Sequence, residues 1–229
     1  MTQTLIIAHR GAPGQLENTV EGFLDGVARG AEWVELDVHR TADDALAVFH
    51  DSALAGKPLA QLELRQARDL AERSRHIRLP TLEEVITALP PTVGLNVEIK
   101  PPGIGPAVAA ALALQNAVDR TICSSFDYPT IREMADLHPP VRTGILADSA
   151  LSDAVAEIRQ ARAQALFLKH TLARRALVEE VKKAGFQVFV WTVNNEADLK
   201  RMLELRVDGI ITDFPDRLAR LLGNESKKP

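Results

Sequence analysis

Short apolar runs recur along the chain, each followed by a polar loop and a stretch of helical periodicity. Leu5-Ile6-Ile7-Ala8 is the first run, apolar on both faces as a buried parallel strand requires. Asn18 is the expected N-cap of the next helix, with Glu21 three residues on as its capping-box partner. Val20, Phe23, Leu24 and Val27 form that helix's inner face, and Gly30 stops it. Trp33-Val34-Glu35-Leu36-Asp37-Val38 reads as the second strand. Period-two geometry points Val34, Leu36 and Val38 one way and Trp33, Glu35 and Asp37 the other. A turn at Thr41-Ala42-Asp43-Asp44 and the run Leu46 to Phe49 predict a hairpin partner that carries His50 back toward the carboxylates.

Residues 51–79 break the pattern and are expected to form a small insertion after the second strand. Within it, Leu59 to Arg73 reads as a charged amphipathic helix and Arg73 to Arg78 as a basic excursion. The alternation then resumes. A capping box at Thr81-Leu82-Glu83-Glu84 opens a helix that Pro90-Pro91 closes. Further strands centre near residues 96, 122, 143, 166, 188 and 210, separated by helical stretches. With the strands near 5 and 34, the total of eight predicts an α/β fold, a closed (β/α)8 TIM barrel in one domain over 1–223, followed by a polar tail at 224–229. An open doubly wound sheet is the alternative, disfavoured by the lack of a G-x-G-x-x-G turn.

Composition narrows the class of protein. The chain has 229 residues, 46% of them hydrophobic and 25% charged, which supports one sizeable core. A net charge of -4 without a basic block argues against nucleic-acid binding. The lone Cys123 cannot form an internal disulfide, which suits a reducing compartment. The first residues lack the pattern of a signal peptide, and no apolar run is long enough for stable membrane insertion, so a soluble, cytoplasmic protein is expected. The sequence carries no signal of oligomeric state.

Two carboxylates on one strand face repel, and burying them uncompensated is costly. Glu35 and Asp37 therefore read either as solvated acids of an edge strand or as oxygen ligands of a hard cation such as Mg²⁺ or Ca²⁺. In Leu95 to Lys100, Asn96, Glu98 and Lys100 share a face. Glu98 is either half of an ion pair or the third ligand that a two-carboxylate site lacks. A barrel gathers strand ends at one mouth, where such folds place their chemistry. His9, Arg10, Glu35, Asp37, Glu98, Lys100, Phe126, Lys169 and Trp191 are all expected there.

These residues lie in motifs that resemble a known family. His9-Arg10-Gly11, Glu17-Asn18-Thr19, Glu35-Leu36-Asp37-Val38, His50-Asp51, Glu98-Ile99-Lys100, Trp191-Thr192-Val193-Asn194 and Asp208 to Asp213 resemble, in order and over residues 6–215, the glycerophosphodiester phosphodiesterases. Leu16 stands where that family commonly has proline, Asp44 where glycine is usual, and the segment between His50 and Leu79 is short. The resemblance implies metal-dependent hydrolysis of a small-molecule glycerophosphodiester to glycerol 3-phosphate and an alcohol. It implies Glu35, Asp37 and Glu98 as metal ligands, His9 and His50 as an acid–base pair, and Arg10 and Lys100 near the phosphate. All-oxygen ligands argue against Zn²⁺ and favour Mg²⁺ or Ca²⁺, with Mn²⁺ possible. Glu17 is either an orienting residue for Arg10 or a solvated loop acid. Phe126 and Trp191 are candidates to line the substrate pocket, with core packing the alternative for Phe126, and Lys169 is a candidate phosphate contact. Asp51 and Asp213 read as structural, and His76, His138 and His170 as surface or capping residues. A lysophospholipase D-like activity at the same site, and a barrel that binds without catalysis, are the competing functions.

Overall fold

The computed structural model describes residues 4–137 and 140–223, so His138 and the 224–229 tail lie outside the described residues. Strands β1 (Leu5–His9), β2 (Trp33–Arg40) and β3 (Leu46–Val48) come first. Two-residue strands β4 (Ala53–Leu54) and β5 (Lys57–Pro58) form a separate hairpin. Then follow β6 (Gly94–Ile99), β7 (Thr121–Ser125), β8 (Arg142–Ala147), β9 (Ala165–Lys169), β10 (Gln187–Trp191) and β11 (Gly209–Thr212). The helices are α1 (Val20–Ala28), α2 (Leu64–Arg75), α3 (Leu82–Ala88), α4 (Gly105–Leu114), α5 (Tyr128–Met134), α6 (Ala154–Gln160), α7 (Arg175–Lys183), α8 (Glu196–Glu204) and α9 (Pro215–Leu221).

The sheet runs β1-β11-β10-β9-β8-β7-β6-β2-β3, and β1 also pairs with β2. That last pairing, Ile7↔Trp33 to His9↔Glu35, closes eight parallel strands into a barrel and excludes the open sheet. Strand β3 is antiparallel to β2, as the short turn predicts. Asp44, in that turn, has φ +63°, a left-handed conformation that glycine adopts freely and aspartate tolerates.

Two apolar layers result from the period-two pattern. Outward residues such as Val34, Leu36 and Val38 pack against the helices in one large cluster. Inward residues, Ile7, Ile122, Leu146, Phe167, Phe189 and Ile211, fill the barrel. Phe167 and Phe189 stack at 4.7 Å between centroids. Large rings need room on neighbouring strands. A Cβ on Gly94 would lie 2.1 Å from the Trp33 indole, so only glycine fits opposite that ring. A third cluster, with Phe49, Leu54, Leu59, Ala67 and Leu79, lies over the segment after β3, which holds β4, β5 and α2.

Two local expectations are corrected. Thr19, not Asn18, caps α1: its Oγ1 accepts the Gly22 N–H at 3.0 Å. Asn18 instead takes φ +57° and turns into the barrel mouth. The helix expected over Leu59–Arg73 begins at Leu64, after a 3-10 turn at Leu59–Gln61, because Glu63 and Gln66 form a reciprocal capping box. His76 closes α2 in the left-handed conformation. His170 sits in the 3-10 turn His170–Leu172.

Candidate active site

The C-terminal ends of β1 and β6 and the middle of the longer β2 carry the centre of the site. Adjacent register places His9 beside Glu35, and Asp37 beside Glu98, on neighbouring strands. One carboxylate oxygen from each of Glu35, Asp37 and Glu98 lies within 4.8 Å of the others. Glu35 and Asp37 are buried, which rejects the solvated edge-strand reading.

Burial and the nearby charges divide the labour among these acids. The Glu35 carboxyl, buried and facing the Asp37 charge, is pushed up to about 8. Burial and the same Asp37 charge raise Glu98, against the pull of Lys100. Burial also disfavours ionised Asp37, but the Lys100 and Arg10 charges outweigh it and hold this carboxyl below its ordinary value. Arg10 Nε lies 3.2 Å from Asp37 Oδ2, and Lys100 Nζ lies 3.0 Å from Asp37 Oδ1 and 2.7 Å from Glu98 Oε1. The Lys100–Asp37 approach lacks hydrogen-bond geometry, so Asp37 Oδ1 is buried with an ion-pair neighbour but no hydrogen bond. Three clustered carboxylates, one raised to about 8 and one with such an oxygen, fit a divalent hard cation.

Asn18 and the backbone lock the acids in place. Asn18 Nδ2 donates to Asp37 Oδ2 at 2.8 Å, and the Asp37 N–H donates to Asn18 Oδ1 at 3.2 Å. The Arg10 N–H donates to Glu35 Oε2 at 3.0 Å. Reaching that geometry needs a sharp turn after β1. Arg10 takes φ +50°, and at Gly11 (φ +83°) a Cβ would lie 2.5 Å from the Gly22 carbonyl carbon of α1. Glu17 accepts from Arg10 Nη1 at 3.1 Å and from the Gly14 N–H at 3.2 Å, so it orients Arg10 rather than facing solvent alone.

Each histidine is held by a carboxylate. His9 Nδ1 lies 2.7 Å from Asp213 Oδ1, and His50 Nδ1 lies 2.8 Å from Asp51 Oδ1. Both residues line the shared cavity, and the carboxylate at each Nδ1 leaves Nε2 as the nitrogen available for proton transfer. Burial disfavours the charged form of His9, but Asp213 and the Glu35 charge raise its pKa overall. Asp213 is itself fixed: Asn194 Nδ2 donates to its Oδ2 at 2.6 Å, and its N–H donates to Asn194 Oδ1 at 3.0 Å. His39 Nε2 meets the His50 carbonyl oxygen at 3.1 Å and anchors that residue's backbone.

The cavity between these groups measures about 160 Å³ and is lined by His9, Arg10, Glu35, His50, Glu98, Lys100, Phe126 and Trp191, among others. Phe126 and Trp191 meet edge to face at 5.7 Å, and Phe126 is exposed, which places it at the mouth rather than in the core. Lys169 is exposed at the end of β9 and does not line the cavity. Asn18, Asp51, Asp213 and Asn194 are the residues that reading by type undervalued. The motif strings Glu17-Asn18-Thr19, His50-Asp51, Trp191-Thr192-Val193-Asn194 and Asp208 to Asp213 held the signal for all four.

Among the described residues, no helix is long and apolar enough to cross a membrane. The model of the Glycerophosphoryl diester phosphodiesterase family matches residues 9–217. A glycerophosphodiester phosphodiesterase of Caldanaerobacter subterraneus is 32% identical over 96% of this chain and 98% of its own. A structure titled a putative glycerophosphoryl diester phosphodiesterase, from Silicibacter pomeroyi, superimposes with a TM-score of 0.84 at 26% identity, covering 97% of this chain and 94% of that one. An Oleispira antarctica phosphodiesterase in complex with the product sn-glycerol-3-phosphate shares the fold, with a TM-score of 0.86 at 24% identity over 96% of this chain and 97% of that one. A barrel with acids and histidines converging at its mouth, matched along nearly its whole length, belongs to the glycerophosphoryl diester phosphodiesterase family of hydrolases.

Proposed function

We propose that this chain hydrolyses glycerophosphodiesters, such as glycerophosphocholine or glycerophosphoethanolamine, to glycerol 3-phosphate and an alcohol, with His9 and His50 as the acid–base pair. The observation that carries this reading is the paired arrangement of two carboxylate-oriented imidazoles flanking one acidic cluster. A phosphodiester is an anion, so its attack requires charge neutralisation, an activated oxygen and a protonated leaving group. Arg10 offers a planar fork of donors to the phosphate, and Lys100 a point charge, both held protonated by the surrounding acids. Glu35, Asp37 and Glu98 would hold Mg²⁺ or Ca²⁺, with Mn²⁺ a lesser candidate. Such an ion supplies charge neutralisation at phosphoryl oxygens and a lowered pKa for a hydroxyl or water. One imidazole takes the proton of the nucleophile through Nε2, and the other delivers a proton to the departing alkoxide. The nucleophile is water or the substrate's own glycerol hydroxyl. Phe126 and Trp191 form the apolar wall for the glycerol carbons, and Glu17 holds Arg10 in place.

Release of glycerol 3-phosphate from glycerophosphocholine, with and without a chelator, tests the reading. Turnover that the chelator abolishes and a divalent cation restores is expected. Turnover confined to acylated diesters would favour the lysophospholipase D-like activity, and none on either class a binding role.

A further inference from the structure

We propose that the alcohol half of the diester binds in a second cavity across His50 from the first, built for an uncharged polyol rather than a trimethylammonium headgroup. The proposal rests on the phosphodiesterase reading above. The second cavity, about 340 Å³, lies between the loop after β1 and the end of α2, with Gln15, Glu17, Phe49, Arg75 and Ile77 among its walls. His50 lines both cavities, whereas His9 lines only the first. A phosphorus atom bound by Arg10 and Lys100 therefore has His9 on one side and His50 on the side that opens to the second cavity.

This asymmetry assigns the proton transfers. The new P–O bond forms to the nucleophilic oxygen, whose proton passes to His9 Nε2. The P–O bond to the headgroup breaks, and its oxygen takes the proton of His50 Nε2 and leaves as the alcohol. Asp51 at Nδ1 orients the His50 ring and leaves Nε2 to make the transfer.

The walls decide the headgroup. A quaternary ammonium is recognised by an open aromatic face. The one phenyl ring among the described lining residues, Phe49, is already covered by the Arg75 guanidinium at 4.9 Å from its centroid. Arg75 is fixed there by its ion pair with Asp51 at 3.1 Å and by Gln15 Nε2, which donates to the Arg75 carbonyl at 3.2 Å. Glu17 could attract a cation, but its charge is engaged by Arg10. The Gln15 amide oxygen and the Arg75 N–H groups not turned to Asp51 remain as an acceptor and donors suited to hydroxyls.

The test compares kcat/KM for glycerophosphoglycerol and glycerophosphoinositol with that for glycerophosphocholine, in the parent and in two variants. The polyol diesters should be favoured by about tenfold in the parent, about 1.4 kcal/mol of discrimination. Arg75→Ala uncovers Phe49 and should bring the ratio close to one, and Arg75→Lys, which keeps a cation there, should retain most of it. A ratio cancels any general loss caused by the contact with Asp51. Equal or better use of the choline diester by the parent, or a ratio unmoved by Arg75→Ala, overturns the assignment of this cavity. No product from any of the three diesters with Mg²⁺ or Ca²⁺ supplied overturns the phosphodiesterase reading itself, and this inference with it.

Discussion

The two histidine–carboxylate pairs of the site are chemically alike and structurally opposite. His9 and Asp213 are 204 residues apart and meet only because β1 pairs with β11 when the barrel closes. Their side chains are about one-fifth exposed, and Asn194 fixes the aspartate. His50 and Asp51 are neighbours in sequence, both more than two-fifths exposed, and their outer support is Arg75 on α2. The first pair belongs to the barrel wall and the second to its rim. A rigid base facing the nucleophile and a more accessible acid facing the leaving group is the division of labour this difference suggests.

Removing either imidazole is the largest perturbation. His9→Ala and His50→Ala should each cost about 10²–10⁴-fold in kcat, the usual worth of general acid–base catalysis, while metal binding measured by calorimetry persists. A diester with a p-nitrophenolate leaving group should rescue His50→Ala and not His9→Ala. Equal rescue of both would erase the distinction drawn here. Glu98→Gln, by contrast, should weaken metal binding and activity together while the circular dichroism spectrum stays folded.

Loss of the orienting carboxylates sharpens the comparison at smaller scale. Asp213→Asn should lower kcat by about 10²-fold, because a buried imidazole loses the partner that stabilises its protonated form. Asp51→Asn should cost only about tenfold, since solvent can replace a half-exposed partner. The reverse order in a steady-state assay would contradict the wall-and-rim distinction. Asn18→Ala removes two hydrogen bonds to Asp37 and leaves a buried carboxylate less satisfied. It should destabilise the fold by about 1–3 kcal/mol in urea denaturation.

The smallest effect is a trend with pH. Folding raises the Glu35 carboxyl from 4.5 to about 8, so between those values the metal-free folded chain holds more protons than the unfolded one. The Glu35 contribution therefore favours folding at the acid end of that window and is lost as pH rises through it. Thermal unfolding of metal-free protein should show Mg²⁺ or Ca²⁺ stabilising more at pH 8 than at pH 5. Equal stabilisation at both would mean that Glu35 is already ionised without a cation.

The strand-and-helix alternation was legible because burial on both faces forces continuous apolar runs, and parallel connections require helices between them. The acids on β2 and β6 were legible for a related reason: a carboxylate in an inward strand position is anomalous unless something compensates it. Capping was less legible. Asn18 and Thr19 are both good N-caps by type, and only the close packing of the Arg10-Gly11 turn on α1 decides that Asn18 serves Asp37 instead. Arg75 had no local signature at all, since a basic run looks the same whether solvated or folded over a ring.

By itself the sequence determined the barrel, its insertion after the second strand and the chemical types available at the mouth, because these follow from local periodicity and from the cost of burying charge. Only the tertiary structure decided which polar groups meet. Asp213 reaches His9, Asn18 reaches Asp37 and Arg75 covers Phe49 through contacts between segments distant along the chain, and such contacts are set by closure of the barrel and packing of α2 rather than by any neighbouring residue.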